Sequence, residues 1–168
     1  MTGQLKAVVP PEKAGVLRRA YAALVTMRVA KMISRHINWK LDPWLLRVSG
    51  GRLATTLMFR SAVLETRGAQ TGLARRHAII YFHDGDRVTI FASNAGSPHH
   101  PSWYHNLCAS PLVTFGGQAM RADIVEDESE RERLSQMGDR VFPAFETYRQ
   151  QAARTGREVP IVQLSLRT

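Results

Sequence analysis

The sequence after residue 60 consists of short apolar runs that are separated by turn-forming residues. Runs rich in Val, Ile, Leu and aromatic residues, bounded by Gly, Pro or Asp, are typical of β-strands. The predicted strands are Ser61–Thr66, Ala74–Phe82, Arg87–Ala92, Leu112–Phe115, Met120–Val125 and Val159–Leu166. Short strands in this number, joined by tight turns, predict a mainly β or α+β fold built as a small antiparallel barrel.

Two helices are predicted between these strands. A short helix is expected to begin at Pro101 or Ser102 and to end at Ala109, before Pro111. A charged helix is expected over residues 126–140, and its pattern continues past Pro143 to about Ala153. The predicted architecture is therefore a barrel with two or three helices.

Length and composition limit the class of protein. A chain of 168 residues is long enough for one domain with a substantial core, and 44% hydrophobic residues are typical of a globular protein. The single cysteine, Cys108, excludes an intramolecular disulfide, and we predict that it is a buried helix residue and not a nucleophile. The sequence shows neither a signal peptide nor a run of about 20 apolar residues, so we expect a cytoplasmic protein.

The positive charge is concentrated in the first third of the chain. Of the 23 Lys and Arg residues, 11 lie in residues 1–60, where the acidic residues are only Glu12 and Asp42. In residues 61–168 the numbers of basic and acidic residues are equal. We therefore divide the chain into a basic helical N-terminal segment, residues 1–50, and a barrel domain, residues 51–168. Binding to nucleic acid is disfavoured because no recognition motif accompanies the charge.

The N-terminal segment predicts a helix over residues 14–37, and two interpretations stay open for it. The helix can dock on the barrel and expose a basic face to solvent. Alternatively, residues 14–46 can lie on a membrane surface, at the inner face of the plasma membrane, as basic helices with aromatic anchors do. The candidate anchors are Tyr21, Trp39 and Trp44.

The turn between the first two predicted strands carries residues that suit an anion. Gly68 and Gly72 permit positive φ, so the turn can direct several backbone N–H groups toward one point. Thr71 adds a hydroxyl, and Arg75 and Arg76 follow on opposite faces of the next strand. Arginine binds phosphate or carboxylate with two parallel hydrogen bonds. A tight turn with solvated arginines would have the same sequence, so the turn by itself does not show whether an anion binds there.

The stretch from Ser93 to Pro111 has no charged side chain, apart from its histidines. These are His99, His100 and His105, whose spacing does not match a metal site and which lack a supporting carboxylate or cysteine cluster. Trp103, Asn106 and Leu107 share one face of the predicted helix. They form either a core face with a hydrogen-bonded amide or one wall of a ligand pocket.

Three motifs in this region occur together in a known order. They are Gly68-x-x-Thr71-Gly72-x-x-Arg75, Ser93-Asn94-Ala95-Gly96 and Pro101-x-Trp103-Tyr104-x-Asn106-Leu107. In residues and spacing they resemble the deazaflavin-dependent nitroreductase family of actinobacteria, whose members are split β-barrels (FMN-binding split-barrel-like) that bind the deazaflavin coenzyme F420. Residues 141–148 and 159–162 also resemble the family, so the similarity covers roughly residues 60–165.

The resemblance implies roles for individual residues. The coenzyme-binding set would be Gln70, Thr71, Gly72, Arg75, Ala78, Ile80, Ser93, Asn94, Trp103, Tyr104 and Asn106. Thr71 and Arg75 would lead the contacts to the phosphate and oligoglutamate tail, and Ala78 and Ile80 would line the ring pocket. The substrate would be surrounded by Phe142, Phe145 and Tyr148. This chain departs from the family at Gln70 and Asn94, where lysine is frequent.

The activity implied is hydride transfer from reduced F420 to a flat, electron-poor acceptor, such as a quinone, an enone or unsaturated lactone, or a nitroaromatic. The hydroxyl of Ser93 or Tyr148 could hydrogen-bond the acceptor oxygen as negative charge develops there. The alternative is a non-catalytic split barrel that binds F420 or a fatty-acid-like ligand, and a basic adaptor protein is the third function class. The related proteins make a monomer or a homodimer the expected assembly.

Overall fold

The computed structural model describes residues 59–167 together with 5, 7–12, 15–16, 19–20 and 23. The described residues Val16, Arg19, Ala20 and Ala23 are helical, in agreement with the predicted N-terminal helix. Most of that helix, the three aromatic anchors and the predicted boundary at residue 50 lie outside the described residues.

The six predicted strands form one closed antiparallel barrel. The strands are β1 Ser61–Arg67, β2 Ala74–Asp84, β3 Arg87–Phe91, β4 Leu112–Phe115, β5 Gln118–Ile124 and β6 Ile161–Leu166. Neighbouring strands follow the order β1-β2-β3-β6-β5-β4, and β4 pairs with β1 to close the barrel. Closure pairs the strand edges that an open sheet would expose. The predicted barrel is confirmed.

Three α-helices accompany the barrel within residues 59–167: α1 Ser102–Ala109, α2 Glu128–Val141 and α3 Ala144–Ala153. The prediction of one continuous helix through Pro143 was wrong. Phe142 is extended, with φ −137° and ψ 95°, and Pro143 stands at the start of α3. Proline lacks an N–H and disfavours helical backbone at the residue before it, so the chain breaks between the two helices. No helix of the described residues is long and apolar enough to span a membrane.

Two apolar clusters stabilise the fold, one inside the barrel and one outside it. Inside, strand residues such as Leu64, Tyr81 and Phe115 pack together, and α1 closes the cluster with Trp103 and Leu107. The outer cluster lies between the barrel wall and the helices α2 and α3. Its largest members are Phe59, Phe82, Phe91, Leu134, Phe142, Phe145 and Tyr148.

Cys108 is exposed, so the prediction that it is buried was wrong. In α1 the buried residues are Trp103, Asn106 and Leu107. One residue further along, a helix has turned by about 100°, and this directs the Cys108 side chain away from the barrel.

The strands β1 and β3 run toward the same end of the barrel, here called the upper end. β1 runs toward the turn at residues 68–73, and β3 runs in the same direction because both strands are antiparallel to β2. Near its end, Ile90 of β3 lies opposite Tyr81, next to Ile80, which is the partner of Ser61 at the start of β1. The start of β6 and the end of β5 lie there as well, since each strand is antiparallel to its neighbour. Helix α1 lies across this end.

The opposite end of the barrel holds the described N-terminal residues. The backbone N–H of Val8 donates to Nδ1 of His83 at 3.0 Å, and the carbonyl of Val8 accepts from the N–H of His83 at 2.7 Å. Burial holds the pKa of His83 below its ordinary value. The neutral ring with Nδ1 unprotonated is the form that can accept this bond.

Candidate active site

The turn that joins β1 to β2, here called the glycine hairpin (Gly68–Leu73), is a compact backbone structure. The N–H of Gly68 donates to the carbonyl of Leu73 at 2.8 Å, and the N–H of Gly72 donates to the carbonyl of Gly68 at 2.7 Å. Gly72 has a φ of 68°, as its predicted role requires. The hydroxyl of Thr71 is exposed and accepts weakly from the N–H of Leu73 at 3.4 Å.

The three arginines around the glycine hairpin differ in their partners. Arg76 forms an ion pair with Glu65 across β1 and β2, with an N–O distance of 2.5 Å. A Cβ on Gly72 would be 3.6 Å from Nη2 of Arg67, and a Cβ on Gly68 would be 3.8 Å from Nε of Arg75. Among the described residues, neither Arg67 nor Arg75 has an acidic partner. These two arginines are the uncompensated cations of the hairpin.

The residues predicted to hold the coenzyme are divided between the two faces of β2. Ile79 and Tyr81 face the barrel interior, and Ile80 packs in the outer cluster. Because side chains alternate along a strand, Ala78 and Ile80 share the outer face with Arg76. Arg75 lies opposite Thr66 on the other face, at the barrel mouth. The ring-pocket pair and Arg75 therefore point in opposite directions from β2.

Asn106 connects α1 to the glycine hairpin. Its Nδ2 donates to Oγ1 of Thr66 at 3.0 Å, and its Oδ1 accepts from the N–H of Ala69 at 3.0 Å. The side chain is buried, with 8% of the residue exposed. Sequence reasoning left open whether this amide was a core residue or a ligand contact, and the structure shows that both of its ends have protein partners. Trp103 beside it is a core residue and is 4% exposed.

The chain after β3 forms a second backbone feature, here called the left-handed turn (Ser93–Ser97). Asn94, Ala95 and Gly96 have φ values of 47°, 52° and 72°, which are unusual for the two residues with a Cβ. The turn is held by bonds from the N–H of Gly96 to the carbonyl of Ser93 and from the N–H of Ser97 to that of Asn94, at 2.9 and 3.0 Å. The side chain of Asn94 donates to the carbonyl of His99 at 2.8 Å, so it serves the loop itself.

The left-handed turn packs against α3, where the predicted aromatic residues lie. A Cβ on Gly96 would be 3.1 Å from the carbonyl oxygen of Tyr148. Tyr148, Phe142 and Phe145 are buried in the outer cluster, and the Phe142 and Phe145 ring centroids are 5.1 Å apart. The structure thus brings Ser93 and Tyr148, the two predicted catalytic residues, onto adjacent elements.

Arg157 was missed by sequence reasoning. It is 7% exposed and donates to the carbonyls of Ala92, Ser93 and Ser97, at 3.1, 2.7 and 2.7 Å. Burial lowers the pKa of its guanidinium. A single arginine in the segment before the last strand has no pattern that would distinguish it from a solvated one, since its partners are about 60 residues away in the sequence.

An open cleft of about 690 Å³, here called the lateral cleft, lies beside the left-handed turn. His100, Tyr104, Ile124 and Arg157 are among its lining residues. Of the predicted coenzyme residues only Tyr104 lines it, and Ala78 and Ile80 are not among its lining residues. Among the described residues no group of three or more metal-ligating side chains occurs.

Comparisons with known proteins agree with this geometry. The family model described as F420H(2)-dependent quinone reductase matches residues 39–165. An F420H(2)-dependent quinone reductase of Mycobacterium tuberculosis is 29% identical over 151 residues, covering 84% of this chain and 100% of that protein. A solved F420-H2 dependent reductase, named FDR-A, is 27% identical with a TM-score of 0.54, covering 62% of this chain and 93% of its own. A domain-swapped dimer with a TM-score of 0.56, 23% identical over 76% of this chain and 97% of its own, shows the same fold. The chain therefore belongs to the F420H(2)-dependent quinone reductase family and is an F420H2-dependent reductase.

Proposed function

We propose that this protein reduces a flat, electron-poor molecule, with a quinone as the first candidate, by using reduced F420 as the hydride donor. The observation that carries this proposal is the link between two predicted coenzyme segments: Asn106 of α1, the helix that follows the left-handed turn, is bonded to Thr66 and to Ala69 of the glycine hairpin. Family membership supports F420-dependent reduction, and a quinone is the acceptor in the family's name. Enones, unsaturated lactones and nitroaromatics are the further acceptors to test.

The charges at the hairpin fit the anionic tail of the coenzyme, even though Gln70 and Asn94 replace two frequent lysines. Arg67 and Arg75 flank the hairpin backbone without acidic partners among the described residues. Arginine is well suited to phosphate and carboxylate. We assign the tail contacts to Thr71 and Arg75, as predicted. Arg67 and Arg76 were the two arginines expected to compensate for the missing lysines, and we assign this role to Arg67. Arg76 is not assigned because Glu65 already neutralises it.

The left-handed turn adds backbone donors to the site. Ser93 has right-handed backbone, with φ −68° and ψ −34°, and Asn94 is left-handed. Such a pair directs successive N–H groups into a concavity that favours negative charge. Within the described part of the chain, the N–H groups of Ser93, Asn94 and Ala95 have no acceptor. This supports a coenzyme contact through the backbone at Asn94, where the charge of a lysine is missing.

The remaining roles concern the reacting end of the site. When bound, reduced F420 supplies a hydride. Ala78 and Ile80 would give the ring an apolar wall on β2, and Ser93 would lie at the edge of that wall. The hydroxyl of Ser93 or Tyr148 would donate a hydrogen bond to the acceptor oxygen. Phe142 and Phe145 pack behind Tyr148 and exclude water from its surroundings.

The roles of two buried residues of α1, of the N-terminal segment and of dimer formation are also proposed. Trp103 and Asn106 are assigned to the support of the site, because both are buried and Asn106 is bonded within the protein. Contact of residues 14–46 with a membrane surface would suit a lipid-soluble quinone, and this segment lies largely outside the described residues. A homodimer stays the expected alternative to a monomer.

The test is a fluorescence titration of the protein with oxidised F420, comparing the wild type with Arg67→Gln, Arg75→Gln and the double variant. Each single substitution should weaken binding about fivefold, because a partly exposed charge contact contributes roughly 1 kcal/mol. Arg76→Gln is the matched control, since it removes an equal charge from the strand that carries Arg75, and it should leave Kd within about twofold. Equal losses in all three single variants would show that only overall charge matters and would contradict the assignment.

Turnover is measured separately with a panel of quinones, enones and nitroaromatics. Oxidation of reduced F420 that depends on a quinone would support the reductase proposal. Tight binding without turnover on any acceptor would favour the non-catalytic barrel. If the wild type binds no F420 at 100 µM, a concentration roughly at the weak end of specific affinities, the proposal fails.

A further inference from the structure

Arg157 is a buried cation that the sequence-predicted site does not include. The guanidinium donates Nε to the carbonyl of Ser97, Nη1 to that of Ala92 and Nη2 to that of Ser93. It also lies 3.3 Å from Nδ1 of His100. No carboxylate pairs with it among the described residues. Its charge is therefore stabilised by backbone carbonyl dipoles.

The backbone of Arg157 is fixed from both sides. Its N–H donates to the carbonyl of Ala152 in the last turn of α3, at 3.1 Å. After Arg157 the chain enters β6 at Ile161, which pairs with Phe91 of β3. The guanidinium thus reaches the left-handed turn from a position that is set by both a helix end and a barrel strand.

The three carbonyls that Arg157 binds stand on both sides of the left-handed residues. Ala92 and Ser93 precede them and Ser97 follows them. Left-handed backbone at Asn94 and Ala95 is strained, and such strain persists only where the surroundings hold it. One planar guanidinium with five fixed donors can hold both ends of the turn at once. With these carbonyls bonded toward Arg157, the turn has little freedom to relax.

We infer that Arg157 is a positioning residue for the coenzyme site, holding the left-handed turn in the shape that presents Ser93 and the backbone N–H groups of Asn94 and Ala95. This inference rests on the proposed function for the identity of the ligand. A purely space-filling role does not explain the contacts. An apolar side chain would fill the same volume without desolvating a charge, but it could not bond the carbonyls on the two sides of the turn.

The test compares Arg157→Met and Arg157→Lys with the wild type, and Arg149→Met serves as the matched control. Arg149 lies on α3 and is partly buried, and its ion pair with Asp139 does not touch the turn. The first readout needs no coenzyme: hydrogen exchange at the amides of Gly96 and Ser97, whose bonds close the turn. We expect exchange about tenfold faster or more in Arg157→Met, since the turn then opens more often. In Arg149→Met it should be unchanged.

The second readout is the affinity for F420. It should fall about tenfold in Arg157→Met, because binding must then order the turn. Lysine keeps the charge and cannot bond both ends of the turn, so Arg157→Lys should fall between the wild type and Arg157→Met in both readouts. A third readout is the pKa of His100, which burial and then the nearby Arg157 charge hold below its ordinary value. It should rise in Arg157→Met and stay low in Arg157→Lys.

The outcomes separate the two proposals. Faster exchange at Gly96 and Ser97 in Arg157→Met, together with weaker F420 binding, would support the inference. Unchanged exchange in the turn of Arg157→Met would overturn it. If the wild type binds F420, faster exchange in Arg157→Met without a change in affinity would also overturn it. An equal loss of affinity in Arg149→Met would also overturn it, since general destabilisation would then be the cause. If the wild type itself binds no F420, the proposed function fails, whatever the exchange shows.

Discussion

The contact between Asn106 and Thr66 offers the sharpest test of how the site is held together. The amide of Asn106 makes two bonds to the hairpin region, to Oγ1 of Thr66 and from the N–H of Ala69, both at 3.0 Å. Asn106→Ala removes both, and Thr66→Val removes only the first while keeping the shape of the side chain. The double variant completes a thermodynamic cycle that isolates the bond between the two side chains.

The expected magnitudes follow from the burial of these groups. A neutral hydrogen bond contributes about 1 kcal/mol, so Asn106→Ala should lower the free energy of unfolding by about 2 kcal/mol and Thr66→Val by about 1 kcal/mol. The coupling between them should be about 1 kcal/mol, because Asn106 and Thr66 are both buried and directly bonded. For a chain of this size, Asn106→Ala should lower Tm by roughly 4–8 °C.

Urea unfolding monitored by circular dichroism provides these free energies. Cys108→Ala is the control on the exposed side of the same helix, and it should change stability by less than about 0.5 kcal/mol. Additive effects of Asn106→Ala and Thr66→Val, within about 0.3 kcal/mol, would show that the bond does not contribute in solution. The assignment of Asn106 as the connection between α1 and the glycine hairpin would then be refuted.

Two further predictions concern packing and pH. A Cβ on Gly138 of α2 would lie 2.4 Å from the ring of Phe91, so Gly138→Ala should destabilise the protein by about 1–3 kcal/mol. Adding Phe91→Leu should restore part of the lost stability in the double variant. A Gly138→Ala protein as stable as the wild type in urea would contradict this packing. His77, His83 and His100 each have a pKa below the ordinary 6.5, mainly because burial disfavours the charged ring. The unfolded chain therefore binds more protons than the folded one below pH 6.5, and the free energy of unfolding should fall with decreasing pH by at most about 1.4 kcal/mol per pH unit for each histidine. Urea midpoints at pH 7.5 and 5.5 check this, and a midpoint that does not fall would count against half-buried neutral histidines.

The strands could be read from the sequence because their pattern is local. All six predicted runs are strands in the structure, with ends that differ by one or two residues. The error at Pro143 has a local cause as well. The charged pattern of α2 continues into α3, and the proline's effect on the backbone of Phe142 was given too little weight against it.

The site was only partly readable, because its residues act through partners elsewhere in the chain. The strand pattern alone did not decide between Arg75 and Arg76 as tail contacts, and only the family resemblance favoured Arg75. The cross-strand pairing of Arg76 with Glu65 distinguishes them. Asn106 was correctly grouped with Trp103 and Leu107 on one face of α1, but the sequence left open whether this face was core or pocket wall. Its bond to Thr66, 40 residues earlier, could not be foreseen from helical spacing.

The sequence by itself determined the periodicity of the strands, the turns that glycine permits, and the order of the motifs that identify the family. These properties depend on neighbouring residues, and neighbours are known from the sequence. The tertiary structure alone decided which strands close the barrel, which face of β2 each side chain takes, and that Arg157 reaches the left-handed turn from 60 residues away. Such contacts arise when closure of the barrel brings distant segments to one end, where buried polar groups must find hydrogen-bond partners.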